Sequence, residues 1–255
     1  MLSVIIIAKN EAHHIRRCLQ SVAFADEIIV LDSGSSDDTV TIAREFTDQV
    51  YCTDWQGYGV QKQRALSYAT KPWVLNLDAD EFVSPELALE IQKLIGADEA
   101  AGYRIPIQMY FYQQPMRFSA SPSRHIRLFK REGAAYSLDI VHEKICLPAE
   151  AKIGQCQASL YHHSFHDVSH ALSKMNKYSS YSAKIRIKAG KQASLSRTLL
   201  ASAWMFFRCY ALQRGFLDGK AGFVLAVLNA QGAFYRGIKQ IYPDSQLDKL
   251  PQVIE

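Results

Sequence analysis

The sequence lacks any apolar run that approaches the roughly 20 residues of a membrane-spanning helix. Its two longest candidates, residues 199–212 and 221–235, are broken by polar or charged side chains and have the length of buried or interfacial helices. The N-terminus also lacks the basic stretch and the long apolar stretch of a signal peptide. Its short apolar run, residues 4–8, therefore predicts the first strand of a fold.

Cysteine is sparse: the five residues are scattered along the chain, and no two of them form a C-x-x-C pair. This pattern argues against a zinc site and against a disulfide framework, and it is typical of proteins from a reducing cytosol. The net charge of +4 over 255 residues is small, so the composition does not demand a nucleic-acid partner. A chain of this length can bury one large core, with or without a tail.

Acidic residues are absent from Val168 to Leu217, where nine lysines and arginines are interspersed with aromatic side chains. Basic and aromatic residues at helical spacing are typical of segments that lie on an anionic membrane surface, and they also suit phosphate-rich ligands or nucleic acid. The plain alternative is a set of helices with one solvated face and one core face. We predict that residues 168–255 form a basic, aromatic helical region that associates with the acceptor or with a membrane surface.

Apolar runs of strand length alternate with segments of helical periodicity over the first third of the chain. The predicted strands are residues 4–8, 27–31, 49–53 and 73–77. Single helices between such strands imply parallel βαβ units. Further strand-like segments follow without regular helices, at residues 103–107, 124–130 and 141–147. The sequence therefore predicts an α/β fold: a mostly parallel sheet flanked by helices, a mixed β region, and a helical extension after a first domain of residues 1–167.

Polar turns follow three of the predicted strands, at Lys9-Asn10-Glu11, at residues 32–38 and at Asp78-Ala79-Asp80. The carboxyl ends of parallel strands share one edge of a sheet, so these turns should converge on one cleft. A polar stretch with two prolines, residues 113–122, predicts an exposed loop that could cover such a pocket.

Asp78 and Asp80 stand two residues apart at the end of an apolar run. On an extended segment their side chains face the same way, and two such carboxylates raise each other's pKa. A hard divalent cation resolves that repulsion, and Mg²⁺ or Mn²⁺ binds a few carboxylates together with substrate phosphates. The alternative is an acidic loop that starts the next helix, because Ser84-Pro85 is a good N-terminal helix signal.

Two acidic motifs follow strands, Asp32-Ser33-Gly34-Ser35-Ser36-Asp37 and Asp78-Ala79-Asp80-Glu81. With them the chain resembles the family 2 glycosyltransferases of GT-A fold, and within that family the bacterial lipopolysaccharide inner-core β-glucosyltransferases. Further matching stretches extend from near the N-terminus into the basic region, at residues 6–11, 25–35, 55–63, 141–143 and 215–219. Gln63 departs from the family pattern, which has Asn after Gln-Lys.

The resemblance implies a UDP-sugar donor, with glucose as the expected sugar, and Mg²⁺ or Mn²⁺ as the cofactor. Asp80 would bind the metal, with Asp78 and His162 as further ligands. The residues expected to line the nucleotide-sugar site are Ala8, Asn10, Glu11, Asp32, Lys62 and Asp78. Structural alternatives are turn formation for Asp32, helix capping for Asn10, and an ordinary surface position for Lys62.

Inversion at the sugar carbon requires a general base beside the acceptor hydroxyl. The resemblance assigns this role to Glu143, in the Val-His-Glu motif, with Asp139 as the competing candidate. The alternative for Glu143 is a structural ion pair with Arg124 or Arg127. Those two arginines share a predicted strand and are expected to bind phosphates or anionic groups of the acceptor.

The resulting hypothesis is an inverting, metal-dependent transfer of a hexose to a lipid-linked lipopolysaccharide core. The enzyme would lie on the cytoplasmic face of the inner membrane and have no nucleic-acid partner. An alternative keeps the fold but takes a polyprenyl phosphate or a capsular intermediate as acceptor. A different class of protein, a polyanion-binding module with an incidental Asp cluster, leaves the strand-end carboxylates unexplained. A nucleotidyltransferase is disfavoured because the first strand is not followed by a glycine-rich phosphate loop.

Overall fold

The computed structural model of the chain describes residues 1–111, 113–119, 123–137, 144–165 and 167–243. Within these ranges the residues divide into two compact units. The first unit comprises the described residues within 1–108 and 123–162, and the second comprises those within 109–119 and 163–243. The predicted domain boundary at residue 168 stays a prediction.

Strands and helices alternate through the first unit, whereas helices dominate the second. The strands are β1 (Leu2–Ala8), β2 (Glu27–Asp32), β3 (Val50–Cys52), β4 (Trp73–Asp78), β5 (Glu81–Val83), β6 (Gly102–Phe111), β7 (Gln114–Pro115), β8 (Ser123–Lys130), β9 (Ala135–Tyr136), β10 (Ile145–Cys146), β11 (Ile153–Gln155) and β12 (Leu160–Phe165). The α-helices are α1 (Ile15–Ser21), α2 (Thr39–Ala43), α3 (Tyr58–Tyr68), α4 (Pro85–Ala97), α5 (Val168–Lys188), α6 (Leu195–Phe207) and α7 (Gly219–Ile241). Between α6 and α7 the chain forms a π-helix (Arg208–Leu212) and a 3₁₀-helix (Gly215–Asp218).

The parallel part of the sheet has the strand order β3-β2-β1-β4. Strand β8 pairs antiparallel with β4, and β6 pairs antiparallel with β8, which gives the mixed β region expected from the sequence. Strand β12 pairs antiparallel with β5, and β9 pairs antiparallel with β10 in a separate small sheet. The predicted α/β fold class is therefore confirmed.

Helices cover both faces of β1, which explains why its sequence is apolar almost throughout. Val4 and Ile6 join a buried cluster with residues of α1 and α4. Ile5 and Ile7 join a second cluster with residues of α3, as expected for side chains that alternate between the faces of a strand. Complete burial of such a side chain contributes roughly 1.5–3 kcal/mol, so this central strand anchors the sheet.

Strand register places the carboxyl ends of the parallel strands side by side. Ala8 in β1 lies opposite Asp32 in β2, and Asp32 lies opposite Cys52 in β3. On the other side of β1, Ile7 lies opposite Asp78, the last residue of β4. The polar turns that follow β1, β2 and β4 consequently share one edge of the sheet, as the sequence predicts.

In the second unit, α7 packs against both α5 and α6. Gly237 of α7 faces Thr198 of α6, where a Cβ atom at position 237 would come within 2.3 Å of Thr198 Oγ1. The Lys239 ammonium donates hydrogen bonds of 2.6–2.9 Å to oxygen atoms of Asn176, Ser179 and Ser180 in α5. Among the residues that the structure describes, none of the helices has both the length and the hydropathy of a bilayer span.

A buried carboxylate, Asp218, fixes residues 117–119 within the second unit. Its Oδ1 accepts the backbone N–H of Arg117 at 3.0 Å, and its Oδ2 accepts those of Phe118 and Ser119 at 3.1 and 2.7 Å. The Ser119 hydroxyl donates a further hydrogen bond of 2.7 Å to Oδ2, and Met116 is buried. Within the predicted loop of residues 113–122, Gln113, Gln114 and Arg117 are exposed as expected, and residues 120–122 lie outside the described residues. Met116 and Ser119 are buried, and Asp218 supplies acceptors for backbone groups that would otherwise need water.

Candidate active site

Charged side chains from four elements meet at the end of β4. The Asp78 carboxylate accepts hydrogen bonds from Lys62 Nζ of α3, at 3.1 Å, and from Arg127 Nη2 of β8, at 3.0 Å. Arg127 Nη2 also lies 2.6 Å from Glu81 Oε1 of β5, and Glu81 Oε2 accepts the backbone N–H of Asp78 at 2.9 Å. Lys62, Arg127 and Glu81 are buried, whereas the Asp78 side chain is half-buried. The sequence marks Glu81 within its acidic motif but does not reveal this role.

Two cations control the ionisation of Asp78. Burial opposes a charged carboxylate, but the Lys62 ammonium and the Arg127 guanidinium outweigh it and hold the pKa of Asp78 well below its ordinary value. The sequence argument, based on repulsion by Asp80, leads instead to a raised pKa. It fails because the compensating cations come from distant parts of the chain. Asp78 therefore stays ionised, and protein side chains balance its charge.

Asp80 has a separate environment in the turn that follows β4. Its Oδ2 atom lies 3.1 Å from Nε2 of His162, which β12 supplies. The pairing of β12 with β5 positions this histidine, because His162 lies opposite Glu81, the neighbour of Asp80 in the chain. Asp80 is buried and His162 is half-buried, so the pair offers a carboxylate oxygen and an imidazole nitrogen at a partly shielded position.

Asp80 and His162 fit the ligand set of a divalent cation that is shared with a substrate. Carboxylate oxygens suit Mg²⁺ and Mn²⁺, and histidine nitrogen is a common metal ligand. In the described part of the chain, no group of three or more His, Cys, Asp or Glu side chains is arranged to hold a metal by itself. Mg²⁺ is ordinarily bound through one or two carboxylates, waters and substrate phosphates, which is the arrangement that this donor set favours.

Asp32 and Asn10 join the loops that follow β2 and β1. Asp32 Oδ1 accepts the backbone N–H groups of Gly34 and Ser35 at 2.9 and 2.8 Å, and Oδ2 accepts the Ser35 hydroxyl. Asn10 Oδ1 accepts the N–H of Ser36 at 2.8 Å, and the N–H of Asn10 donates to Ser35 Oγ at 2.8 Å. Asn10 has a left-handed backbone, with φ of 56°, and it connects the two loops rather than capping α1.

Ala8 and Glu11 lie at the same edge of the sheet. The carbonyl oxygen of Ala8 accepts the N–H of Ser33 at 2.9 Å. The N–H of Glu11 donates to Thr39 Oγ1 at 2.8 Å, and Glu11 Oε2 lies 3.0 Å from His14 Nδ1. The structure therefore brings the predicted nucleotide-site residues of both loops together.

The two arginines that the sequence predicts to bind phosphates have different surroundings. Arg127 is buried and holds Asp78 and Glu81. Arg124 is exposed and donates to the side chain of Gln155. Arg127 thus belongs to an internal ion network, and phosphate binding by Arg124 stays a prediction.

The two candidate bases, Glu143 and Asp139, lie outside the described residues. The structure describes the chain on either side, where β9 and β10 pair with Tyr136 opposite Ile145. The assignment of the general base stays a prediction.

Glutamines on either side of Lys62 hold neighbouring segments, a role that the sequence does not reveal. Gln61 is fully buried, and its Nε2 donates to Ser33 Oγ at 2.8 Å. Gln63 Oε1 accepts the backbone N–H of Tyr136 at 2.7 Å, so the residue that departs from the family pattern bonds to β9. The only hint in the sequence is that an amide side chain stands on each side of Lys62.

A family model described as Glycosyl transferase family 2 matches residues 3–148, which is more than half of the chain. The chain therefore belongs to glycosyl transferase family 2, as its motifs predict. Membership of this family and the strand order together confirm the GT-A type of α/β fold.

Two relatives resemble the chain over almost its whole length. An uncharacterized glycosyltransferase of Rickettsia felis (strain ATCC VR-1525 / URRWXCal2) is 34% identical over 247 residues, which cover 92% of this chain and 87% of the relative. The lipopolysaccharide core biosynthesis glycosyltransferase LpsC of Rhizobium meliloti (strain 1021) is 30% identical over 265 residues, which cover 99% of this chain and 96% of the relative. Among solved structures, S. aureus TarS 1-349 superposes with a TM-score of 0.47 at 18% identity, covering 98% of this chain and 82% of that chain.

Proposed function

We propose that this family 2 glycosyltransferase transfers a hexose from a UDP-sugar to a lipid-linked lipopolysaccharide core acceptor, with inversion at the sugar carbon. The proposed hexose is glucose. The observation that carries the proposal is the end-to-end similarity to LpsC, whose name places that protein in lipopolysaccharide core biosynthesis. The similarity includes the basic helical region as well as the strand-end loops, so it extends beyond the part of the chain that the family model matches.

The loops after β1 and β2 form the nucleotide side of the donor site in this proposal. Asp32 orders its own turn through three hydrogen bonds, so the loop is preorganised to receive uracil and ribose. Lys62, held at 3.1 Å from Asp78, supplies positive charge toward the diphosphate. Asp78 is half-buried and ionised, and it accepts hydrogen bonds from the ribose hydroxyls.

Asp80 and His162 would hold Mg²⁺ or Mn²⁺, and the diphosphate of the donor would complete the coordination shell. The bound cation supplies Lewis-acid stabilisation of the negative charge that develops on the UDP leaving group. Asp78 is left out of the direct ligands because Lys62 and Arg127 already balance its charge.

Glu143, with Asp139 as the competing candidate, accepts the proton of the acceptor hydroxyl as the new glycosidic bond forms. Attack from the face opposite the leaving group inverts the configuration at the sugar carbon. A well-placed general base contributes roughly 10²–10⁴-fold to the rate.

The acceptor is expected at the cytoplasmic surface of the inner membrane. Nine basic and no acidic residues between Val168 and Leu217 suit an anionic lipid-linked acceptor there. Polyprenyl phosphates and capsular intermediates share this chemistry and are the alternative acceptors. A polyanion-binding module without enzymatic activity is disfavoured because the chain belongs to a transferase family.

The test is a panel of donors and acceptors on the purified protein, supplied with Mg²⁺ or Mn²⁺. UDP-glucose, UDP-galactose and UDP-N-acetylglucosamine are each offered with truncated core lipopolysaccharide, with polyprenyl phosphate or without acceptor, and UDP release and product mass are measured. We expect a gain of one hexose on the core lipopolysaccharide from UDP-glucose, lost on chelation and restored by metal. Transfer to polyprenyl phosphate alone would favour the alternative acceptor, and no turnover of any donor would refute the proposal.

A further inference from the structure

The solvent side of α6 is apolar, although surface helices ordinarily turn polar side chains to water. Five large apolar residues on this side are each at least half exposed: Leu195, Leu199, Leu200, Trp204 and Phe207. Their offsets of four, five, nine and twelve residues from the first spread them over about half of the helix circumference, with Leu200, Trp204 and Phe207 closest together. These five residues form the α6 apolar face.

The opposite side of α6 is firmly packed, so the α6 apolar face does not result from a loose helix. Thr198 is buried against Gly237 of α7. The Ser202 hydroxyl donates a hydrogen bond of 2.9 Å to the carbonyl oxygen of Ala230, also in α7. These contacts fix the rotation of α6, and with it the direction in which the apolar face points.

Apolar exposure continues through the π-helix and the 3₁₀-helix. Leu212, Phe216 and Leu217 are each at least half exposed. The Tyr210 ring holds this segment in place, with its centroid 5.4 Å from that of Phe206 and 6.3 Å from that of Phe216. Scattered apolar residues are normal on a protein surface, but this concentration within residues 195–217 marks an interaction surface.

Basic residues border the α6 apolar face. Arg197 and Arg208 are exposed. They lie seven residues before and four residues after Trp204, and this helical spacing places all three side chains on the same flank. Arginines beside an apolar stripe match an anionic lipid surface, because apolar side chains enter the headgroup–acyl boundary while guanidinium groups remain at the phosphates. A second copy of this chain fits poorly, because residues 168–217 hold no acidic side chain that could pair with the two arginines.

We propose that the α6 apolar face docks the second unit on an anionic phospholipid bilayer, with Leu200 and Trp204 in the headgroup–acyl boundary and Arg197 and Arg208 at lipid phosphates. The inference deepens the proposed function, on whose lipid-linked acceptor it rests, by naming the surface that contacts the membrane. Vesicle binding requires neither donor nor acceptor, so failure of docking and failure of glucose transfer are distinguishable.

The test is sedimentation of the full chain with vesicles of phosphatidylcholine, alone or mixed with phosphatidylglycerol, without UDP-sugar. We expect binding to the anionic vesicles and a blue shift of tryptophan fluorescence that is lost in Trp204→Phe. Leu200→Ser should weaken vesicle binding roughly tenfold or more through lost apolar burial. Arg197→Gln/Arg208→Gln should weaken it about fivefold for each arginine.

Leu89→Ser is the matched control, because Leu89 is 70% exposed on α4 in the first unit and Leu200 is 70% exposed on α6. Arg44→Gln, at an exposed arginine of the first unit, is the control for the arginine pair. Both controls should bind vesicles like the unchanged chain. Equal binding to neutral vesicles, no vesicle binding, an equal loss in Leu89→Ser, or self-association that buries Trp204 without vesicles would each overturn the proposal.

Discussion

The Asp80 carboxylate lies 3.1 Å from the imidazole of His162, although 82 positions separate the two residues in the sequence. The antiparallel pairing of β12 with β5 brings them together. Asp78, two residues before Asp80, has different partners, Lys62 and Arg127. The two neighbouring aspartates therefore differ in their surroundings: Lys62 and Arg127 balance the charge of Asp78, and Asp80 lies beside the imidazole nitrogen of His162.

Replacing Asp80 tests the metal assignment. Asp80→Asn removes an anionic oxygen beside His162, so metal-dependent UDP binding should weaken by more than about tenfold. Calorimetric titration of UDP with and without Mn²⁺ measures the change. Asp98→Asn alters a carboxylate that is 58% exposed and pairs with Lys130, and it should leave the metal dependence unchanged. Metal-dependent binding of ordinary strength in Asp80→Asn would contradict the assignment.

The general base can be tested with matched carboxylate-to-amide changes. Glu143→Gln should lower kcat by about 10²–10⁴-fold, because an amide cannot accept the proton of the acceptor hydroxyl. The dissociation constant of the UDP-sugar should stay nearly constant, since the loss falls on the transition state. Asp139→Asn is the paired variant and should retain turnover. The reverse pattern would identify Asp139 as the base, and full activity in both would exclude both.

Breaking the buried ion network should destabilise the first unit. Arg127→Met leaves the buried Glu81 carboxyl group without its guanidinium partner, so the free energy of unfolding should fall by about 3–5 kcal/mol. Adding Glu81→Gln to that variant should recover part of the loss. The exposed neighbour provides the control, because Arg124→Met should change the stability by less than about 0.5 kcal/mol. Urea unfolding of the four proteins decides whether Arg127 is structural: similar stability in both single variants would argue that it is not.

The stability supplied by Asp218 should depend on pH. Burial opposes its ionisation, but hydrogen bonds from Ser119, Arg117 and Phe118 lower its pKa below the ordinary value. A lowered pKa means that the stabilisation is complete above the unfolded value, about 3.9, and is lost as the pH falls through the lower folded value. Asp218→Asn should therefore cost about 1–3 kcal/mol at pH 7, and progressively less below about pH 4.

Urea unfolding of the unchanged chain and of Asp218→Asn at pH 7, 5 and 3.5 measures this dependence. The exposed carboxylate in Asp98→Asn should show a small difference at every pH. A constant cost of Asp218→Asn across the range would mean that shape, and not charge, holds residues 117–119.

Two glycines of α7 should respond to alanine with opposite signs. In Gly237→Ala the new Cβ would come within 2.3 Å of Thr198 Oγ1, so the variant should lose about 1–3 kcal/mol of stability. In Gly232→Ala the Cβ would lie 3.5 Å from Met175 Cγ, an ordinary contact, and the higher helix propensity of alanine should contribute up to about 1 kcal/mol. Thermal unfolding compares the two. Stabilisation by Gly237→Ala would show that α6 and α7 do not approach so closely.

The parallel half of the fold can be predicted from sequence because its signals are local. Helices cover both faces of β1, and the apolar run at residues 4–8 therefore predicts the strand found at Leu2–Ala8. Once the strands are parallel, the polar turns after them must share an edge, which locates the candidate site without any knowledge of side-chain contacts.

The partners of Asp78 could not be predicted, because they depend on non-local geometry. Lys62 comes from α3, and Arg127 comes from β8, whose antiparallel register places Leu128 opposite Leu75 of β4. A sequence shows the carboxylate and its like-charged neighbour, but it does not show which cations the sheet brings to them.

The start of α2 shows a second limit. Serine is a favoured N-cap residue and Ser35 and Ser36 precede this helix, yet the helix spans Thr39–Ala43. Ser35 is engaged by Asp32, and the N–H of Ser36 donates to Asn10, so both serines serve the loop instead. Local capping rules were outweighed by hydrogen bonds across 26 positions of sequence.

Asn10, whose backbone is left-handed, connects the segment after β1 to Ser35 and Ser36 after β2 through two hydrogen bonds. The segments after β1 and β2 are therefore best replaced together when sequences of relatives are combined in one chain. A chimera that imports a β2 turn without a serine at position 35 loses the side-chain acceptor for the N–H of Asn10. If these segments line the donor site as proposed, exchange of donor preference between relatives should succeed more often when both segments are transplanted together.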